Sequence, residues 1–502
     1  EYNDFTSDNK LFYEDHTLPL YVGPGLFYDR TSGYLYVRLQ INDADRYGVI
    51  ARSADPNQRS LRIYDDRSVL AFVPLVHVEF HDLSLNALGE LSISSASPSQ
   101  VSHHLLFERV HTLMPRLKIR SGVYDVTFQQ TLISAGFPPW IYRSDVKYAY
   151  DAPNPDGSRA SPAWILHQAA VAIGHVSGGP AMDVKIIDSE ILNTWFGVDM
   201  PQAIGIELAR NRFDRATNDG VLISEAVKDA EIHHNHIRGL ACISWDDYGS
   251  NPPASERGRV YIHHNLLEVQ DTLSGRDPAP GNTRFWYNQF DDYDNDGIVQ
   301  NRPFGSHGPP AAANVYNNTA VFTSGSAEGS TMLQITDTES EIPRIFFNNI
   351  LIQRYPQGVL HRRVRFGPGH GMQWADGNIY FRPKLQTSQP DLFGLYQFYN
   401  ADGTFTYVSF ADLEKLRSSS WYPMTKERYA PGSEDSSSME EPLLDSNYHP
   451  LPGSPVAGRR VDLRILFPNW PENDSDYIGA FPVDSTPNQP PTVSLIATPT
   501  SG

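Results

Sequence analysis

Short apolar stretches with period-two alternation, each closing on asparagine, recur from residue 206 onward: IELARNRF, AEIHHNHI, VYIHHNLL, TRFWYNQF, NVYNNTAV and IFFNNILI. β-Branched and aromatic residues alternating with polar ones predict short strands with one buried face. The asparagines fall at Asn211, Asn235, Asn265, Asn288, Asn318 and Asn349, and Asn378 in ADGNIY continues the series. Steps of 24, 30, 23, 30, 31 and 29 residues are too irregular for a helical solenoid. They suit coils of strands joined by loops of variable length. VEFHDLSL, LLFERVHT, VTFQQTLI and VKIIDSEI repeat the shape without the asparagine and carry the array back to about residue 75. The expected fold is all-β, a parallel β-helix of about eleven coils.

In such a coil the asparagine has a physical task. A tight turn between strands needs a residue that tolerates the left-handed region, and an amide there can bond its copies in the coils above and below. The series is therefore read as a structural ladder. His233, His234, His263 and His264 resemble a metal cluster, but they sit one coil apart inside ladder strands and are read as part of the array.

The flanks read as caps, since a solenoid must close its ends. Residues 1–64 contain GLFYDRTSGYLYVRL, two strand-like runs around a polar turn, expected as a hairpin over the N-terminal end. The β-helix is placed at 65–385 and a capping segment at 386–484. That segment holds one clear helix, SFADLEKLRSS, with Ser409 able to cap and Asp412 favouring the start, and a closing strand in DYIGAFPVD. Residues 485–502, rich in Pro, Thr and Ser, read as a linker to a further C-terminal module.

Charge narrows the partners. With 40 basic and 59 acidic residues, a formal charge of −19, the chain would repel polyphosphate, so nucleic acid is not the expected partner. No apolar run reaches the roughly 18 residues of a membrane span. Only 8 of the basic residues are lysine and 32 are arginine, whose forked guanidinium groups suit carboxylates and sulfates. The lone cysteine, Cys242, rules out an internal disulfide framework and reads as core.

Candidate chemistry comes from the strand after each asparagine: GVDMPQ, GVLISE, ACISWD, TLSGRD, GIVQNR, LQITDT and GVLHRR. Aligned by their leading small residue, they give a charged column of Glu225, Asp246 with Asp247, Arg276 or Asp277, Arg302, Asp337, and Arg362 with Arg363. Parallel strands lie about 4.8 Å apart, which brings Glu225 opposite the Asp246–Asp247 pair. Two carboxylates about 5 to 9 Å apart are what glycoside hydrolysis requires, one to protonate the leaving oxygen and one to attack or to activate water. Asp219 in TNDG stands close behind as a further acid. Trp245 and Tyr248 offer faces for sugar rings, and the arginines offer charge for an anionic chain. A loop of some forty residues between VTFQQTLI and VKIIDSEI, carrying Trp140, Tyr142, Arg143 and Lys147, is expected to wall the groove.

These strand and turn motifs resemble the right-handed parallel β-helix superfamily of polysaccharide-active enzymes, the pectate-lyase-like proteins and above all the β-helix glycoside hydrolases, over about residues 65 to 380. The resemblance implies a right-handed coil and a secreted protein, extracellular or periplasmic in a bacterium, expected as a monomer that degrades an anionic polysaccharide. Hydrolysis by Glu225 with Asp246 or Asp247 is the first expectation. Elimination on a uronate, with His307, Lys147 or Arg302 as base, is the second; a C5 epimerase and a non-catalytic adhesin complete the alternatives. GPGHG at 367–371 is similar to a polygalacturonase motif, but it lies much further from the paired Asp246 and Asp247 than in that family, so no assignment is carried over. No cofactor is required, and the Asp-rich turn FDDYDNDG, Asp291 to Asp296, could hold Ca²⁺.

Overall fold

A computed structural model describes residues 25–29, 34–38, 76–86, 90–95, 101–113, 116–134, 169–174, 179–224, 226–246, 258–270, 302–306, 312–324, 331–334, 344–352, 359–365, 373–381, 394–399, 408–410, 412–420, 422–426, 431–466 and 477–482. From Val76 onward the chain winds as a right-handed parallel β-helix whose coils carry three strands each. One coil runs Ala181–Ile187, Glu190–Thr194, Phe196–Met200. In the next, Glu207–Ala209 is followed by Arg212–Ser224, which supplies both remaining strands in one run. First strands pair only with first strands, forming one long parallel sheet. Second and third strands form the other, parallel throughout until Val408–Phe410 closes it antiparallel on Gly394–Tyr399.

The register explains the period-two pattern. Phe80, Phe107, Phe128, Ile186, Leu208, Ile232, Ile262, Val315, Phe346 and Ala375 are aligned coil on coil. From Phe107 to Ala375 they line a core that is at most 3% exposed. Phe107 stacks on Phe80 at 4.7 Å and on Phe128 at 4.6 Å between ring centroids. Such a column buries each apolar face against its own copy, so every coil depends on its neighbours. Cys242 is fully buried in this interior, as its reading as core requires, and burial pushes its thiol well above the ordinary range.

The asparagine ladder is present, with two corrections to its expected form. The left-handed conformation belongs to the residue before each ladder position, not to the asparagine. Asp82, Arg109, Gln130, Asp188, Arg210, His234, His264, Asn317, Asn348 and Gly377 all have φ between +50° and +66°. The asparagine that follows supplies the bonding. The backbone N–H of Asn211 donates to Asn235 Oδ1 at 2.8 Å, and that of Asn235 to Asn265 Oδ1 at 2.9 Å. Asn265 donates to Asn318, Asn318 to Asn349 and Asn349 to Asn378 in the same way.

The second correction concerns Asn288. Asn265 bonds Asn318 directly, and Arg259–His263 pairs with Ala312–Tyr316 without a coil between them. TRFWYNQF therefore adds no rung, and it lies outside the described residues. Its strand-like alternation and terminal asparagine imitate the repeat, but local pattern does not specify pairing.

Below Asn211 the ladder continues with shorter side chains. Ser189 Oγ accepts from the N–H of Thr131, and Asn211 Oδ1 from the N–H of Ser189, both at 3.0 Å.

At the other end the C-terminal segment takes over. Ser437 Oγ accepts the Asn378 N–H at 2.8 Å, and the fully buried Glu434 receives Tyr380 Oη at 2.6 Å and Asn378 Nδ2 at 3.3 Å. Asn317 donates to the Tyr477 carbonyl and Asn348 to that of Val461, so the left-handed column also fastens this cap. Gly377 fills the same column where a Cβ would meet Asn348 Oδ1 at 2.4 Å.

Gly25–Asp29 pairs antiparallel with Tyr34–Arg38, the hairpin read from GLFYDRTSGYLYVRL. The helix Leu413–Arg417 is capped by Asp412, whose carboxylate accepts from the Lys415 N–H at 2.7 Å, rather than by Ser409, which lies in the closing strand. Of DYIGAFPVD, the described residues 477–482 form a single bridge, Tyr477 to Ala457, and no strand. Among the described residues no helix is long and apolar enough to cross a membrane.

Candidate active site

The third strands carry the sequence-derived column, and their register redraws it. Val198, Val221, Ile243 and Phe304 share one row, which continues through Leu333 to His361. Three residues further along, Ser224 faces Asp246. Arg302 faces Ala241, which itself faces Asp219, so Arg302 opens its strand rather than ending it. Arg362 pairs with Gln334, the residue after Leu333, and falls two positions short of the Asp246 row, with Arg363 next to it. Strand Ala241 to Asp246 pairs directly with Arg302–Ser306, so no strand bearing Arg276 intervenes. Alignment by a leading small residue assumes strands that begin in step, whereas these begin at different heights. The arginines are thus staggered across the sheet instead of capping one column.

What the register does bring together is the pair of segments that hold the first-choice acids. Ser224 is fully buried, and its Oγ donates to the Pro201 carbonyl at 2.5 Å while accepting from the Ala226 N–H at 3.2 Å. The Val227 N–H returns to the Ser224 carbonyl at 3.2 Å. The chain is therefore fixed on both sides of Glu225, next to the residue that pairs with Asp246. Trp245 precedes Asp246 in the same strand and faces Ser306. Glu225 itself, Asp247, Tyr248, Arg276, Asp277, His307, Asp337, Trp140, Tyr142, Arg143 and Lys147 lie outside the described residues, as does the Asp291–Asp296 turn.

Asp219 takes a different place. It is 6% exposed and accepts a hydrogen bond from Ser244 Oγ. Its backbone faces Ala241, five residues before the Asp246 position, while its carboxylate reaches forward to Ser244, two residues before Asp246. Its hydrogen bond to the neighbouring coil makes it a brace within the sheet.

On the second strands lies a charged network that the sequence reading missed. Arg212 reaches Asp214 at 2.7 Å and Glu190 at 3.5 Å; Arg238 lies 3.5 Å from Asp214 and 3.1 Å from Glu268; His236 meets Glu268 at 2.5 Å. The Gln270 amide oxygen accepts from Arg238 at 2.8 Å. Its members are scattered over four coils and converge only through the register, so no linear motif announces them. Every carboxylate here faces a cationic partner, and giving or taking a proton would break an ion pair. The network is accordingly read as structural.

Glu268 shows how these forces balance. Burial alone would raise its pKa, but the His236 hydrogen bond and charge, the Arg238 guanidinium and the Tyr448 hydroxyl together hold it below the ordinary 4.5. A depressed carboxylate stabilises the fold above its unfolded pKa, and that stability is lost as pH falls through the folded value. Glu268→Gln should therefore flatten the loss of stability on the acid side of pH 4.5. Urea midpoints measured from about pH 6 down to about pH 3 test this, and equal acid slopes in both proteins would refute it.

Among the described residues the four central histidines gather no set of three ligand atoms, although the two Nδ1 atoms lie 2.9 Å apart within each doublet. His233 stacks on His263 at 5.0 Å and His234 on His264 at 4.9 Å, nearly parallel in both cases. Comparison with protein-family models, with curated proteins and with solved structures found no match.

Proposed function

We propose that the chain belongs with the polysaccharide-active β-helix enzymes it resembles, as a secreted, endo-acting glycoside hydrolase of an anionic polysaccharide. In this reading Glu225 and Asp246 are the acid and the base or nucleophile, with Asp247 adjacent. The observation that carries it is the pairing of Ser224 with Asp246, which sets two acid-bearing segments on neighbouring coils, about 4.8 Å apart, at the same end of one sheet. Like charges that close push one pKa upward and keep a proton available for the leaving oxygen. Trp245, beside Asp246, supplies a face for a sugar ring. Arg302 and Arg362, on coils further along the same sheet, would meet carboxylate or sulfate groups spaced along the chain, a role that suits staggered better than clustered charges. No step calls for a cofactor.

Incubation with a panel of uronate-bearing and sulfated polysaccharides, followed by reducing-end and ultraviolet assays, is the test. New reducing ends without unsaturated, ultraviolet-absorbing termini are expected. Unsaturated termini would overturn hydrolysis in favour of elimination. An absence of chain shortening on every glycan would leave only a binding role.

A further inference from the structure

The first coils of the β-helix gather three imidazoles in one place. Val76 and His103 open paired first strands, and the residues after them, His77 and His104, hold left-handed φ values of 57° and 56°. In this conformation one ring nitrogen from each of His77, His103 and His104 lies within 4.8 Å of the others. His103 Nδ1 and His104 Nδ1 approach each other directly, and the His77 and His104 ring centroids are 4.4 Å apart.

Neighbouring groups orient the rings. His103 lies flat on Tyr124, with centroids 4.7 Å apart and planes 9° from parallel. His104 Nε2 sits 3.3 Å from Asp125 Oδ2, which leaves its Nδ1 facing the cluster. A carboxylate on the outer nitrogen of a histidine is the arrangement that fixes tautomer and direction in metal sites.

The turn itself does not ask for histidine. In later coils the same left-handed corner is filled by Asp125, Asp183, Gly205 and Asp229. Nor are adjacent histidines enough, because the two central doublets lie in stacked columns and gather no third ligand among the described residues. Among the described residues, only on the first coils does a third ring, His77, complete a set of three.

We infer that His77, His103 and His104 form a binding site for a divalent transition-metal ion, with Asp125 orienting His104. Imidazole nitrogens select zinc, copper or nickel over calcium or magnesium, which take oxygen ligands. Three nitrogens about 2.0 Å from the ion, with water in the fourth position, make a tetrahedral zinc site. His77 and His104 are exposed and can close the remaining gap by side-chain rotation. The bound ion would join the first coil, whose Val76 and Leu83 are 38% and 40% exposed, to the second.

The test is calorimetric titration of the tag-free chain with Zn²⁺. One ion per chain is expected, with affinity falling at least about tenfold in His77→Ala and in His104→Ala, and about tenfold in Asp125→Asn. His234→Ala, in the central doublets, should leave the affinity unchanged. Because His77 and His104 are exposed, circular dichroism should show both alanine variants folded. Independently of any variant, Zn²⁺ should protect His77 and His104 of the wild-type chain from diethyl pyrocarbonate. Absence of binding at micromolar Zn²⁺, binding that persists in both alanine variants, or unprotected His77 and His104 would each overturn the inference.

Discussion

Asp246→Asn and Glu225→Gln are each expected to lower polysaccharide turnover by about 10²-fold or more while leaving the thermal midpoint near that of the wild type. Loss of a proton donor or acceptor removes stabilisation that exists only in the transition state, so kcat should fall and KM should change little. Asp219→Asn tests the redrawn geometry. Its buried carboxylate accepts a hydrogen bond from Ser244 of the next coil, so the substitution should cost stability more than turnover. The double substitution Glu225→Gln/Asp246→Asn should be little worse than either single one if the two act as a unit. Turnover within about threefold of wild type in both single variants would rule out the pair.

The largest effect on stability is expected from Asn265→Ala. Asn265 is fully buried, and its Oδ1 accepts from the Asn235 N–H at 2.9 Å and from Asn235 Nδ2 at 3.0 Å. Its Nδ2 donates to the Ile232 carbonyl at 2.8 Å and to Asn318 Oδ1 at 2.9 Å. Alanine leaves several buried polar groups without partners, each costing about 1 to 3 kcal/mol, for a total of about 3 to 6 kcal/mol. Asn265→Ser should cost less, since serine occupies the equivalent place at Ser189 and accepts there through Oγ. Denaturant unfolding monitored by far-ultraviolet circular dichroism measures both. A loss under about 1 kcal/mol for Asn265→Ala would mean the ladder is incidental to stability.

Much of this architecture could be read from residue order because its signals are local. Alternation in IHHN or FFNN marks a strand, and the asparagine marks its end. The register could not be read that way, because it is decided between residues some tens of positions apart. TRFWYNQF therefore passed as a rung although Asn265 reaches past it to Asn318. For the same reason Arg302 was set in one column with Asp246 when it belongs opposite Ala241. Alignment by Gly220 and Ala241 set Ser224 opposite Trp245 and Glu225 opposite Asp246; Ala241 instead faces Asp219, so the register is one residue off and Ser224 faces Asp246. The ion pairs of Arg212, Asp214, Arg238 and Glu268 were invisible for another reason. Each is an ordinary polar residue in an ordinary strand, and only stacking makes them a network. The histidines at 77, 103 and 104 escaped notice likewise, since one of the three comes from a different coil.

The amide ladder also has a direction. Each rung gives its N–H to the rung that follows, so the array is a one-way relay whose two ends want different things. At the N-terminal end what is left over is a lone pair, which proteins leave vacant more readily than a buried N–H. The ladder can therefore dwindle there, from asparagine through Ser189 and Thr131 to Val110. At the C-terminal end what is left over is a donor, and it must be received. Ser437 and the buried carboxylate of Glu434 receive it. The backbone relay alone would make the front the cheaper end to shorten, but the side-chain amides run the other way, Asn211 Nδ2 donating back to the Ile186 carbonyl, so a cut at either end leaves a buried donor to be received.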